Sequence, residues 1–268
     1  MNQQLNLQNL LTQVTELTKE VGAYIRNETG NLQQADVESK GLHGFVTYVD
    51  KKAEDKLIAG LQEILPEAGF IAEESQPHKS ESHLHWIIDP LDGTTNYIHG
   101  LPLFSVSIAL QGKHETLLGV VYEINLDECF SAIKDHPATL NGKKISVSKQ
   151  KKLHDSLLAT GFPYYDYSRL DAYIEIFKYL LKNSHGIRRL GSAAADLVYV
   201  ACGRFEGFYE YGLSPWDVAA GALIVKQAGG EINDFMGKDN FIHGGEIVAT
   251  NGLIHDELMQ VMQKYFVG

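Results

Sequence analysis

WIIDPLDGTTNYIHGLP, residues 86–102, is the stretch on which the fold turns. Trp86, Ile87 and Ile88 read as a buried strand. Asp89 and Asp92 then interrupt the apolar run, and Gly93, Thr94, Thr95 and Asn96 follow. An ionised carboxylate straight after Trp-Ile-Ile is expensive to bury unless it is paired or holds a metal. Oxygen ligands select a hard cation, Mg²⁺ ahead of Ca²⁺ or Zn²⁺. Residues 93–96 read as the start of a short helix, whose free N–H groups and positive end suit a phosphate oxygen. Gly93 lets such an anion approach the backbone closely. Metal ligands and a phosphate cradle then share one strand-to-helix turn. Two rival chemistries fit poorly. An EF-hand starting at Asp89 needs a glutamate at its twelfth position, which here is Gly100. Phosphatases that form an aspartyl-phosphate space their two aspartates by one residue, whereas Pro90 and Leu91 intervene here. A water activated by a metal is favoured over covalent catalysis.

Outward from this turn, acids recur in Asp50 of VTYVDKKAE, Glu73 and Glu74 of FIAEES, and Asp217 of SPWDVAAG. Each ends a predicted strand or opens a predicted helix, where side chains converge on a cleft at a sheet edge. Asp50 also reads as a plain helix cap. Ser214-Pro215-Trp216-Asp217 resembles a capping box with Pro at the first helical position. Glu74 reads as a solvated neighbour. His78, His83 and His85 have no accompanying Cys and read as a polar loop rather than a zinc site. Arg188 and Arg189 offer cations to a phosphate, but read first as a surface pair at a strand end.

Leu7, Leu10, Leu11, Val14, Leu17, Val21 and Ile25 predict a first helix that stops near Gly30, and a second is expected from about Asp50 to Pro66. GFVTYVD between them is a short β segment. Residues 70–148 are mainly strand, ending in a hairpin turned by Asn141-Gly142. After about residue 150 strands and helices alternate, which predicts a second α/β layer system. The expected organisation is one domain over residues 1–268: N-terminal helices plus a mainly antiparallel sheet over 1–150, and an α/β half over 151–268. The net charge of -11 argues against a nucleic-acid partner and against an anionic membrane surface. It also leaves an anionic substrate in need of a cation. Cys129 and Cys202 are too few and too far apart for a disulfide scaffold or a thiolate zinc site. The first residues have neither a positive n-region nor an unbroken apolar stretch, so a cytoplasmic protein is expected.

The motifs resemble the inositol monophosphatase family of Mg²⁺-dependent, lithium-sensitive phosphatases. Asp89, Pro90, Asp92, Gly93, Thr94 and Asn96 match its DPxDGTxN motif. Residues 216–230, WDVAAGALIVKQAGG, look like its second motif, FVTYVD and FIAEES like two smaller ones, and RRLGSAAADL and FYEYG like the segments between. The resemblance implies a five-layered αβαβα sandwich and a homodimer. It implies a first metal on Glu73, Asp89 and the Leu91 carbonyl, a second on Asp89, Asp92 and Asp217, and a weaker third involving Glu73. Thr94, hydrogen-bonded to Asp50, would orient the attacking water. The amides of Gly93 and Thr94 would hold phosphate, and Gly191, Ser192, Ala193 and Glu210 would face the alcohol. The implied reaction is hydrolysis of a phosphate monoester, with myo-inositol 1-phosphate the foremost substrate. Glu210 and the 191–193 turn suit vicinal hydroxyls and are expected to offer no stacking platform for a base. A nucleotide bisphosphatase or fructose-1,6-bisphosphatase of the same superfamily is one alternative, and a non-enzymatic interaction protein on the same fold is another. Lys40 stands near a mobile-loop lysine of the family but is not assigned to the site. Gly100 replaces a basic residue often found there in the animal enzymes.

Overall fold

The first two helices form as their apolar spacing predicts. Helix α1, Leu7–Glu28, is capped by Asn6, whose side chain accepts from Asn9 N at 3.1 Å. It buries Leu10, Val14, Val21 and Ile25 along one stripe. Helix α2, Tyr48–Ile64, buries Val49, Ala53, Leu57 and Leu61. It begins two residues ahead of the expected start at Asp50. Thr47 is the cap, and Asp50 is the third helical residue, closing a capping box back onto Thr47. The structure is a computed structural model that describes residues 5–39, 45–75, 82–113 and 115–266. Lys40 and His78 lie outside the described residues.

Between these helices, β1 (Val37–Ser39) and β2 (Phe45–Thr47) pair antiparallel. Seven strands then form one sheet in sequential order: β3 (Gly69–Ala72), β4 (His85–Asp92), β5 (Ser105–Gln111), β6 (Thr116–Glu123), β7 (Glu128–Ile133), β8 (Thr139–Leu140) and β9 (Lys143–Lys144). Only β3 and β4 run parallel within it. The short helix α3, Thr94–Ile98, follows β4 as expected. Asn141 and Gly142 both take positive φ in the β8–β9 turn, the backbone that an Asn-Gly hairpin requires.

The second sheet has the order β11 (Gly186–Arg188), β10 (Leu157–Thr160), β12 (Gly207–Tyr211), β14 (Glu246–Thr250) and β13 (Glu231–Asn233). β10 lies parallel to both β11 and β12, and β14 is antiparallel to its two neighbours. Strands β1 and β13, three residues each, are additions to the sequence reading.

Three apolar cores stack these pieces into five layers. The first joins α1 and α2 to the outer face of the seven-stranded sheet. The second holds α5 (Ala193–Ala201) and α6 (Pro215–Gln227) between the two sheets. The third joins α4 (Leu170–Asn183) and α7 (His255–Phe266) to the far side of the smaller sheet. Helix α5 is buried along its whole length, as a helix between two sheets must be. The αβαβα sandwich that the motifs implied is therefore the fold. Among the described residues no helix is long and apolar enough to cross a membrane.

Candidate active site

The acids of the opening stretch owe their arrangement to an irregularity in β4. Residues three apart in a regular strand point to opposite faces. Here Asp89 pairs with Ser107 and Asp92 with Ser105, so three steps along β4 oppose two along β5. The extra residue is absorbed as a bulge. Asp89 and Asp92 are thereby brought together, and Asp217 from α6 joins them. One carboxylate oxygen from each of the three lies within 4.8 Å of the others. Glu73, just past β3, lines the same cleft.

Each acid is held. Asp89 is 2% exposed, and its Oδ1 accepts from Leu91 N at 2.9 Å. Asp92 Oδ2 accepts from Ser192 Oγ at 2.6 Å and from Ala194 N at 2.8 Å. Asp217 Oδ2 accepts from Ser214 N at 2.6 Å, closing the capping box of α6 behind Pro215. Burial pushes the Asp89 carboxyl well up, and Glu73, Asp92 and Asp217 push it further by repulsion. Burial lifts Asp217 likewise, with Asp92 as the main repelling charge. Asp92 rises to about 6, because burial outweighs its bonds from Ser192 and Ala194. These carboxylates cannot all ionise beside one another without a cation. An all-oxygen donor set of this kind fits a hard divalent ion.

Asp50 is fully buried and uses both oxygens. Oδ2 accepts from Thr47 N at 2.8 Å and from Thr47 Oγ1 at 2.5 Å. Oδ1 accepts from Thr94 Oγ1 at 3.0 Å. The helix-cap reading and the Thr94 pairing therefore both hold, one on each oxygen. Thr94 Oγ1 also lies 3.0 Å from the Leu91 carbonyl oxygen, so its single proton is shared between two acceptors. Gly93 takes φ 97°, and a Cβ there would come within 3.2 Å of the Leu103 carbonyl oxygen. Left-handed backbone and close packing both call for glycine at this position.

Gly191, Ser192, Ala193 and Glu210 line the same cleft. The Ser192 hydroxyl is occupied: it caps α5 by accepting from Ala195 N at 3.2 Å, donates to Asp92, and lies 3.1 Å from Ser105 Oγ. What it offers a ligand is backbone. Glu210, on β12, fills the space above Gly161, where a Cβ would come within 1.9 Å of Oε1. Burial drives the Glu210 carboxyl well up, reinforced by Asp217 and opposed by Arg189.

Several lining residues of this cleft, about 280 Å³ in volume, were not in the sequence reading: Phe45, Phe162, Tyr164, Tyr165, Asp196 and Trp216. Phe162, Tyr164 and Tyr165 correct the expectation that no stacking platform exists. Their signal was FPYY directly after β10, at the carboxyl end of a parallel strand, where α/β sheets place their clefts. Arg189 is exposed, as the surface reading expected, and it also edges the cleft, because the chain leaves β11 after Arg188 and turns at Gly191, φ 91°. Asp196 lies in the first half of α5 at 1% exposure, its Oδ1 buried without a hydrogen-bond partner.

Comparison with known proteins follows the same geometry. The sequence model described as "Inositol monophosphatase family" matches residues 6–266. "Inositol-1-monophosphatase" of Mesorhizobium japonicum is 37% identical over 95% of this chain and 96% of its own. "Nus factor SuhB" of Pseudomonas aeruginosa is 39% identical over 97% of each. The solved inositol monophosphatase from Anabaena superposes with a TM-score of 0.86 at 37% identity, covering 97% of this chain and 98% of that one.

Proposed function

From the premise that the chain belongs to the inositol monophosphatase family, we propose that it is a Mg²⁺-dependent phosphatase that hydrolyses phosphate monoesters, with myo-inositol 1-phosphate preferred. The observation that carries this reading is the convergence of Asp89, Asp92 and Asp217 beside the Asp50–Thr94 hydrogen bond in one cleft. Glu73, Asp89, the Leu91 carbonyl, Asp92 and Asp217 are the residues to hold two Mg²⁺ ions, with Glu73 contributing to a weaker third. When bound, Mg²⁺ offsets phosphate charge, acidifies a water and stabilises the leaving oxygen. Asp50 accepts from Thr94, leaving the Thr94 oxygen lone pairs to receive and align a water. The Gly93 and Thr94 amides hold phosphate at the start of α3. Glu210 and the backbone of Gly191, Ser192 and Ala193 receive the alcohol.

Inositol phosphate is favoured over nucleotide bisphosphates because Glu210 suits a ring of adjacent hydroxyls, of which adenosine 3′,5′-bisphosphate keeps only the ribose 2′-hydroxyl. The aromatic wall keeps nucleotides and other bisphosphates in the comparison. Purified protein with Mg²⁺ should turn over myo-inositol 1-phosphate fastest in a panel with glycerol 2-phosphate, fructose 1,6-bisphosphate and adenosine 3′,5′-bisphosphate. Faster turnover of the adenosine ester would move the protein to the nucleotidase branch. A second reading rests on relatives named Nus factors at the same level of identity as the phosphatase. In it, the fold acts through a protein partner. Absence of turnover on every ester, with intact Mg²⁺ binding, would favour that role. We further place the protein in the cytoplasm as a homodimer with no nucleic-acid or membrane partner.

A further inference from the structure

Arg189 is a cation in a cleft whose other charged lining residues are acids: Glu73, Asp89, Asp92, Asp196, Glu210 and Asp217. Its position is fixed from two sides. Nη2 donates to the Tyr164 hydroxyl, and the guanidinium lies 5.8 Å from the centroid of the Tyr164 ring. Nη1 packs over Gly191, where a Cβ would come within 2.6 Å of it. Glu210 is seated in the same way over Gly161. Arg189 and Glu210 thus each rest on a glycine in this cleft, and the guanidinium favours the ionised form of the Glu210 carboxyl that burial opposes. Among the described residues they form no salt bridge, although each acts on the other's charge across the cleft.

A carboxylate only accepts hydrogen bonds and a guanidinium only donates them, whereas a hydroxyl does both. We propose that Arg189 is a specificity-determining residue for the leaving alcohol, donating to a hydroxyl of the same polyol whose neighbouring hydroxyl donates to Glu210, with Tyr164 holding the guanidinium in place. This rests on the phosphatase reading above and deepens it: the substrate class is a phosphate monoester of a polyol with adjacent hydroxyls. An alcohol lacking them leaves Glu210 unanswered in a buried site, where an unmet carboxylate is costly. Tyr164 offers such a substrate the apolar side of its ring as well as the tether.

The test compares wild type, Arg189→Ala, Arg189→Lys and Tyr164→Phe on myo-inositol 1-phosphate and on 4-nitrophenyl phosphate, which has no vicinal hydroxyls. Solution mass and Mg²⁺-induced melting shift are recorded for each protein. Arg189→Ala is expected to lower kcat/KM for the inositol ester about ten- to a hundredfold, chiefly through KM, and the aryl ester much less. Arg189→Lys should recover only part, because an ammonium lacks the planar fork. Tyr164→Phe should move in the same direction by about threefold, its arginine charged but untethered. Equal losses on both esters, a loss explained by altered mass, or an unchanged inositol-ester kcat/KM would each overturn the assignment. Should Arg189→Ala fail to fold, Tyr164→Phe, which removes one hydroxyl from a partly exposed ring, decides between the same outcomes. Wild type that cleaves neither ester overturns the phosphatase reading and this inference with it. Wild-type cleavage with undiscriminating variants overturns this inference alone.

Discussion

The two oxygens of Asp50 face different neighbours, Thr47 on one side and Thr94 on the other. An asparagine offers only one acceptor oxygen and must give up one of these roles. Asp50→Asn is therefore expected to lower kcat by about 10²–10⁴-fold, the range for losing acid–base help. It should also cost about 1 kcal/mol of stability through the weakened cap, while Mg²⁺-induced stabilisation survives. Full turnover by this variant would reduce Asp50 to a helix cap. Glu210 permits a sharper comparison because Gly161 lies beneath it. Glu210→Gln should lower kcat/KM for myo-inositol 1-phosphate about ten- to a hundredfold. Gly161→Ala should do the same by pushing an intact carboxylate aside, and both should spare a simple aryl phosphate. If Gly161→Ala instead abolishes the Mg²⁺-induced melting shift, Glu210 supports the metal cleft rather than the alcohol. At this scale the acids were legible, since a carboxylate after an apolar run has few reasons to exist. Arg189 and Asp196 were not. An arginine after a strand is ordinary on a surface, and this one stays exposed there while it edges the cleft beside the Gly191 turn.

Among the elements, α5 carries more than packing. Its capping residue Ser192 also bonds Asp92, and its Ala194 amide bonds the same oxygen. Removing that hydroxyl deletes a cap and a bond to a carboxylate together. Ser192→Ala should cost about 2 kcal/mol, or a fall in Tm of about 5 °C for a chain of this size. It should weaken Mg²⁺ binding in calorimetry as well. The same loss of stability with unchanged Mg²⁺ affinity would show that β4 and the Ala194 amide position Asp92 without the Ser192 hydroxyl. Most elements could be read from period and turn chemistry, because α1, α2, α4 and α7 each bury one face. α2 starts two residues before Asp50, since an acid at the third helical residue and an acid at the cap give the same local sequence. β1 and β13, at three residues, are too short to show alternation and exist only through their partners.

For the whole molecule, the cleft draws Asp50, Glu73, Asp89 and Asp92 from the first half of the chain and Glu210 and Asp217 from the second. The central core likewise mixes Ile87, Val121 and Phe130 with Leu197, Val218 and Phe208. Residues from both halves of the chain thus share this core, and nothing in the local sequence announced how they join. Clustered acids make this body responsive to metal and pH. Mg²⁺ at a hundredfold excess over Kd should stabilise it by about 2.7 kcal/mol per site. The accompanying rise in Tm should be about 5 °C, reversed by EDTA. Without metal, Asp92 keeps its proton up to about pH 6 in the folded state, while the unfolded chain loses it near the ordinary carboxylate value. Its contribution to stability is thus full at low pH and is lost as pH rises through about 6. Bound Mg²⁺ favours the ionised form, so its melting shift should be larger at about pH 7.5 than at about pH 5. A shift independent of pH would count against ligation by Asp92.

The bulge in β4 has a bearing on how such a site changes over generations. Substituting Asp89 or Asp92 removes a carboxylate but leaves the ladder in step, so a single reversal restores it. Deleting Pro90 or Leu91 is a different kind of event. The two aspartates would then stand two residues apart opposite Ser107 and Ser105, the spacing of a regular ladder, and both would keep their face. What would go is the kink between them, through which Leu91 N reaches Asp89 and the Leu91 carbonyl reaches Thr94. No later point change at either aspartate restores that; only an insertion does. Lineages that keep the residue count of this turn retain an easy return to metal chemistry whatever occupies its acid positions, and lineages that alter the count do not.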